Sequence, residues 1–408
     1  HRLSREFIRK LGLKLNKFIM HNPQTWVLVN RERRQVREVE AGPHLLDYRL
    51  KADEEGKTEQ QLLIKSLWKV EEELKQGTTC SQLLAKYDSF STKEYFIENT
   101  ILLLSVVVTL GSMLNVAYGY HWAFSQFISG MFFFFLTGSF DEITGGFDQL
   151  PIALHDSLLP KTVQLHSPVE EVEVSGDHVR IRYQTPKPLR PRALLTADYV
   201  IVATTSKAAW LLRFQPPLSP SKEDALRIVP YHSAAKVALA CTQRFWERDG
   251  IYGGYSTTDR PSRFIIYPSH IFPNGTGVLL ASYTLDDDTS IFTAMDPARV
   301  VDVVLDDLAA IHNRPKEELR ALCPYSKVKD WSQDPYSIGA FVSFTPYQYV
   351  DYVRELCQPQ GRIYFVGEHT SLPHGWIDTA IKSGLRAAQD IQEAVNLTDA
   401  LTTGPRPP

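Results

Sequence analysis

Two stretches of this chain carry residues whose types and spacing could do chemistry. In the first, Gly361-Arg362-Ile363-Tyr364-Phe365-Val366-Gly367-Glu368-His369-Thr370 is followed by Pro373-His374-Gly375-Trp376-Ile377-Asp378-Thr379-Ala380. The apolar run from Ile363 to Val366 predicts a buried strand that ends at a Gly-Glu pair. A glycine-bearing turn comes next, then a helix whose apolar stripe is expected at Ile381, Leu385, Ala388, Ile391 and Val395. Such a strand–turn–helix unit points unpaired amides and the positive end of a helix dipole at whatever lies before it, which suits an anionic group. Glycine lets the backbone approach a ligand closely, and Glu368 can accept from a ligand hydroxyl. The same pattern also serves as an ordinary strand-to-helix connection. In the second stretch, Lys236 lies within Ala234-Ala235-Lys236-Val237-Ala238-Leu239-Ala240, an apolar strand. A lysine there must find partners, shed its charge, or snorkel from a strand end.

The elements that must position these residues are interleaved along the chain. Residues 1–20 read as helical, with Ile8, Leu11, Leu13 and Phe18 as the apolar set, and Trp26 to Val29 as a short strand. A long helix is expected from about Glu59 to Lys75, and Ser89 to Glu94 offers a capping serine or threonine before another. Gly145 and Gly146 precede a helix expected over Leu150 to Leu159. The stretches Pro168 to Val174 and His178 to Tyr183 alternate with period two around Ser175-Gly176-Asp177, which predicts a β-hairpin. Ala197 to Thr205 reads as a buried strand of parallel type. From about Tyr231 to Pro346 short strands alternate with a few helices, which suits a mixed sheet, and Val278 to Tyr283 is one of its strands, with Tyr283 half-buried.

The chain has 408 residues, 43% hydrophobic and 22% charged, enough for two or more cores. A formal net charge of −3 and the lack of a basic tract argue against nucleic acid as a partner. Cys80, Cys241, Cys323 and Cys357 have no metal-ligand spacing. Asn274-Gly275-Thr276 and Asn396-Leu397-Thr398 are glycosylation sequons. One segment is anomalous. Ile101 to Ala117 is almost uninterrupted apolar sequence, and Met131-Phe132-Phe133-Phe134-Phe135-Leu136 follows close behind. Roughly 17 such residues sit at the lower limit for a membrane span. Three readings stand side by side: a buried helix pair, which is preferred, a membrane element that lacks flanking Lys/Arg asymmetry, and a translated pyrimidine tract at a splice acceptor.

Gly-Glu-His-Thr, then Pro-His-Gly-Trp and a helix carrying Lys382-Ser383-Gly384, resembles the C-terminal FAD motif of the flavin amine oxidases, and with Gly375-Trp376 it is most similar to vertebrate L-amino-acid oxidases. The resemblance runs over nearly the whole chain and weakens only across 101–136. It implies an α/β, α+β mixed, two-domain FAD oxidoreductase: a glutathione-reductase-like FAD domain, incomplete in these residues, a mixed-sheet substrate domain and a helical domain. The segments expected from it are 1–40 and 223–355 for the substrate domain, 41–140 for the helical domain, 141–222 and 356–398 for the FAD domain, and 399–408 as a disordered tail. No G-x-G-x-x-G occurs in the chain. The family's nucleotide-binding unit and its carboxylate-binding arginine precede the position where this sequence starts, so a fragment or truncated product is expected. The family's active-site histidine would align near Gly130, which leaves that role without a candidate.

Residue by residue, the resemblance implies that Lys236 holds a water beside the flavin and that Tyr283 donates to a substrate carboxylate. Trp331 and Trp376 would wall the site, Phe341 would close its side-chain end, and the Gly375 carbonyl would accept from the substrate amine. Val169 would touch adenine, and Gly367, Glu368, Gly375, Trp376, Ile377, Asp378, Thr379 and Ala380 would hold the cofactor, Glu368 through a ribityl or ribose hydroxyl. Cys241 and Cys323 fall where a family disulfide lies, whereas Cys80 would be unpaired. The implied reaction is FAD-dependent oxidative deamination of aromatic or large apolar L-amino acids by O2, giving a 2-oxo acid, ammonia and hydrogen peroxide. A secreted or lysosomal location and a homodimer are implied in the same way. The rival expectations are an amine or polyamine oxidase, and a non-catalytic fragment or binding surface.

Overall fold

Along Ala234–Cys241 the residues at 235, 237, 239 and 241 are buried, which sets one face of a strand on a core and leaves Lys236, Ala238 and Ala240 on the other. This strand, β10, lies inside a seven-stranded sheet. The order is β14 (Tyr325–Asp330), β10, β13 (Gly277–Leu285), β12 (Phe264–Ile266), β11 (Tyr255–Thr258), β2 (Trp26–Val29) and β3 (Glu32–Gln35). Neighbours are antiparallel except β11 and β2, so the sheet is mixed, as expected. The helix Pro297–His312 lays Val300, Val304, Leu308 and Ile311 on Val237, Leu239, Leu279 and Ala281. Asp296 caps that helix, accepting from the amides of Ala298 and Arg299. A disulfide joins Cys241 at the end of β10 to Cys323, while Cys80 and Cys357 are free thiols.

The structure is a computed structural model that describes all residues except 47–55, 58, 100–118, 137–138, 188, 190, 271, 273–274 and 404–408. The apolar run Ile101 to Ala117 therefore lies outside the described residues. Among those described, no helix is long and apolar enough to cross a membrane. A second core joins the hairpin β5 (Val169–Ser175) and β6 (His178–Gln184), flanked by β7 (Arg192–Ala197) and β9 (Arg213–Gln215), to the parallel pair β8 (Val200–Val202) and β15 (Ile363–Phe365). A third core is helical: Leu62, Val70, Leu83, Tyr95, Phe124 and Ile128 come from five helices between Glu59 and Leu136. Thr79 and Ser91 start two of these with capping boxes to Gln82 and Glu94.

Four local expectations are corrected. Residues 1–20 are a helix only over Arg2–Lys10. Gly12, at φ +73°, ends it, and β1 (Leu15–Phe18) pairs with β4 (Phe140–Ile143). The 59–75 region is two helices, Glu59–Ser66 and Trp68–Lys75, interrupted at Leu67. The strand expected at 197–205 is short and half-covered, with Ile201 43% exposed, because among the described residues β8 pairs with β15 alone. The C-terminal helix runs Ile377–Thr403, past the expected boundary at 398. It buries Thr379, Ser383 and Ala387, while Leu385 of the expected stripe is exposed. Small residues let this helix sit close on β15, where the Ser383 hydroxyl accepts from Gly367 N at 2.9 Å.

Candidate active site

Antiparallel register sets the first half of the site. Phe264 stands opposite Tyr283, Tyr283 opposite Lys236, and Lys236 opposite Lys329, so one row crosses four strands on the face turned away from the main core. The Lys236 ammonium lies 4.8 Å from the centre of the Tyr283 ring. No carboxylate pairs with it among the described residues, and although the side chain stays open to solvent, the protein packed around it lowers its pKa by partial desolvation. Burial also pushes the Tyr283 phenol up to about 12, which keeps it protonated as a donor near neutrality. Lys329 is matched by Asp334 at 2.6 Å and lies 4.8 Å over the ring of Trp331, which directly follows β14. Trp331 is 36% exposed.

The second half is the turn after β15. Gly367 has φ +137°, and a Cβ there would lie 2.6 Å from the His369 ring. Gly375 has φ +80°, and a Cβ there would stand 3.2 Å from the ring of Phe341, so only glycine fits between that ring and the turn without a shift. Glu368 is half-buried between these elements. Its Oε1 accepts from Val342 N at 3.1 Å and its Oε2 from Gly375 N at 2.8 Å. Burial pushes its carboxyl up to about 7 against the lowering effect of both amides. The first intrahelical amide of the C-terminal helix is that of Ala380, which donates to Trp376 O at 3.1 Å. The amides of Ile377, Asp378 and Thr379 therefore point along the helix axis into the turn. Asp378 accepts from Ser4 N and Ser4 Oγ at 2.9 and 3.0 Å, and Trp376 packs on His1 at 4.5 Å between rings.

A cavity of about 260 Å³ opens before this turn, lined mainly by apolar groups that include Ile8, Leu15, Phe140, Gly375, Trp376 and Ile377. A larger open groove of about 770 Å³ near Asn30, Arg31 and Arg260, beside β2, gathers none of the candidate residues, and Asp307 neutralises its Arg260 at 2.6 Å. Phe341 links the two halves, its ring against Gly375 and its carbonyl accepting from His232 N at 2.8 Å, four residues ahead of Lys236. The cavity of about 260 Å³ is itself not lined by Lys236, Tyr283 or Trp331. Val169, at the start of β5, is 39% exposed, opposite Tyr183 and away from this meeting point.

Sequence reasoning missed three partners. His232, buried between Trp122 and Phe341 at ring distances of 4.5 and 4.8 Å, holds Asp286 at 2.7 Å. Gln126 and His374 meet at 2.7 Å across 248 residues of sequence. Glu368 accepts from two backbone amides, Val342 N and Gly375 N, one with each oxygen. Only the Gly-Glu pair itself marked any of these, since the other contacts join distant segments without a motif.

A profile of flavin containing amine oxidoreductases matches residues 1–392. The L-amino-acid oxidase of Naja atra is 48% identical over 394 residues, covering 97% of this chain and 76% of that protein. Those of Pseudechis australis and Protobothrops flavoviridis are 47% and 46% identical, again over 97% of this chain and over 75% and 77% of theirs. Among solved structures, a cyclohexylamine oxidase from Brevibacterium oxydans IH-35A has a TM-score of 0.73 at 18% identity over 96% of this chain and 85% of its own. Putrescine oxidase bound to putrescine has a TM-score of 0.73 at 16% identity over 96% and 86%; both show the shared fold. Matched over nearly its whole length and carrying the glycine turn in place, this chain belongs to the flavin-containing amine oxidoreductase family of redox enzymes.

Proposed function

We propose that this protein is an L-amino-acid oxidase acting on aromatic or large apolar L-amino acids with O2 as the oxidant. The observation that carries the reading is the row of Tyr283 and Lys236, a protonated phenol beside an ammonium that partial desolvation disfavours and no carboxylate matches among the described residues. The residues present fit a flavin: an apolar cavity lies before a close-approach glycine, next to helix amides aimed into the turn. Gly367, Glu368 and Gly375 to Ala380 would frame FAD, with Val169 toward its adenine. Bound FAD supplies the two-electron acceptor, so that an L-amino acid, O2 and water become a 2-oxo acid, ammonia and hydrogen peroxide.

The chain's own groups orient the substrate. The Tyr283 hydroxyl donates to its carboxylate. The Gly375 carbonyl accepts from its amine and favours the neutral form that can lose hydride. Trp331, Trp376 and Phe341 exclude water and hold the Cα–H in place, which is orientation rather than acid–base work. Lys236 holds a water at the reacting face. The disulfide between Cys241 and Cys323 supports an oxidising compartment, secreted or lysosomal.

The test adds FAD to the purified protein, records the visible spectrum, and then adds L-phenylalanine, putrescine or cyclohexylamine anaerobically. Bleaching of the flavin bands by L-phenylalanine alone is expected. Bleaching by the amines alone would replace this reading with an amine oxidase.

A further inference from the structure

The segment 340–345 runs extended, with one side paired to the main chain. Tyr231 and Val342 form an antiparallel bridge, so Phe341 O accepts from His232 N at 2.8 Å and Pro230 O from Ser343 N at 3.3 Å. The pleat then turns the amides of Val342 and Phe344 to the opposite side, where no strand pairs with them among the described residues. Two side-chain acceptors stand there instead. Glu368 Oε1 takes Val342 N at 3.1 Å, and Gln126 Oε1 takes Phe344 N at 3.5 Å. Each also reaches the glycine turn, Glu368 Oε2 to Gly375 N at 2.8 Å and Gln126 Oε1 to His374 Nδ1 at 2.7 Å. Adjacent residues 374 and 375 are thus tied to alternate residues 344 and 342. The rings of Phe344 and His374 meet edge-on at 4.4 Å.

Burial pushes the His374 imidazole down to about 3, so the ring is neutral and donates from Nδ1 to the amide oxygen. Gln126 belongs to the helical layer, and that layer is tied once more to the same segment and once to the helix Gln348–Cys357 that follows it. Ala123 N donates to Phe344 O at 2.8 Å, and buried Asp88 accepts from Ser125 Oγ at 2.6 Å and Val350 N at 3.0 Å.

We propose that Gln126 and Glu368 are paired positioning residues that set the distance between the Phe341 ring and the Gly375 carbonyl, so that the helical layer fixes the width of the substrate slot. The inference rests on the reading above, in which Phe341 and Gly375 face the substrate. Gln126 acts only through its partners, and Glu368 acts here through the two amides it accepts from.

The experiment compares wild type with Gln126→Leu, Gln126→Glu and Glu368→Gln as flavin-loaded full chains. Leucine removes the acceptor, glutamate keeps a carbonyl oxygen in its place, and glutamine at 368 removes one of two acceptors. Amide exchange is followed in peptides covering 341–345 and 373–376. Exchange about tenfold faster in both peptides is expected for Gln126→Leu and Glu368→Gln, with Gln126→Glu near wild type. With L-phenylalanine, KM rises about tenfold in Gln126→Leu while kcat and the flavin spectrum hold, and Gln126→Glu restores KM. Where Gln126→Leu does not fold, Gln126→Met takes its place. Faster exchange in one peptide only, or a Gln126→Glu protein that behaves like Gln126→Leu, overturns the inference. A wild type that L-phenylalanine does not bleach overturns the oxidase reading, and the exchange comparison still decides the clamp.

Discussion

Two polar clusters share the seven-stranded sheet and are built in opposite ways. Toward the β2 side, Asp249 Oδ2 binds His312 Nδ1 at 2.8 Å, His312 Nε2 meets the Tyr267 hydroxyl at 3.0 Å, and that hydroxyl meets Ser256 Oγ at 2.9 Å. Trp26 closes the chain, its backbone amide on Ser256 and its indole N–H on Asp249. By residue type this resembles a carboxylate–imidazole–hydroxyl relay for nucleophilic catalysis. Yet Tyr267 and Ser256 are wholly buried, His312 is 5% exposed, and each of these side chains is already spent on its neighbours. Near the β14 side, Lys236 has a tyrosine ring beside it and no carboxylate among the described residues, and partial desolvation works against its charge. A network that satisfies itself holds the fold together, whereas an exposed group without a partner carboxylate is available to a substrate.

Substitution separates the two clusters. Lys236→Met should lower the rate of flavin reoxidation by O2 about 100- to 1000-fold while leaving thermal stability nearly unchanged, because the residue is exposed and pairs with no carboxylate among the described residues. Stopped-flow oxidation and melting curves check this, and a loss of stability with full activity would erase the contrast. His312→Ala should do the reverse. It takes one hydrogen bond each from half-buried Asp249 and buried Tyr267 and leaves a cavity, and should cost about 3 kcal/mol by denaturant titration, with flavin reduction per folded molecule unchanged.

Much of the second cluster was legible in the sequence because its signals are local. Lys236 stands out among six apolar residues, the Gly-Glu pair ends a strand, and the hairpin alternates around Gly176-Asp177, where the two strands do turn. The disulfide came from resemblance. What sequence did not show depends on contacts between distant residues. Leu15 to Phe18 read as helix because its strand partner lies more than 120 residues away. The buried face of the last helix consists of Thr379, Ser383 and Ala387, and small residues carry little periodic signal although they permit the closest packing. No spacing rule links Gln126 to His374, or Glu368 to Val342.

Glu368 lies between the two kinds of cluster, being half-buried and at the site, and pH measures which side it falls on. Its carboxyl is pushed from the ordinary 4.5 up to about 7. Between those values the folded state keeps a proton that the unfolded state has released, so stability falls as pH rises through the window, by at most about 3 kcal/mol. His369 and His374, held down to about 4 and 3, act in the opposite sense below the ordinary imidazole value. Wild type minus Glu368→Gln isolates the carboxyl. Melting temperatures from pH 4.5 to 7 should decline relative to that variant, and parallel curves would show that Glu368 is charged throughout.

Tyr283→Phe gives the smallest expected effect and the sharpest test of where the satisfied network ends and the working site begins. The ring stays, so packing over Lys236 and opposite Phe264 is kept and stability should change by less than about 1 kcal/mol. What is lost is one hydrogen bond to a charged substrate group, about 1.5 kcal/mol, or roughly tenfold in KM for an L-amino acid with kcat little altered. An amine without a carboxylate has nothing to lose at this position, so its KM should stay the same. Steady-state kinetics with L-phenylalanine and phenethylamine on both proteins read this difference directly. An equal change for the two substrates would assign the Tyr283 hydroxyl to the fold, alongside Tyr267.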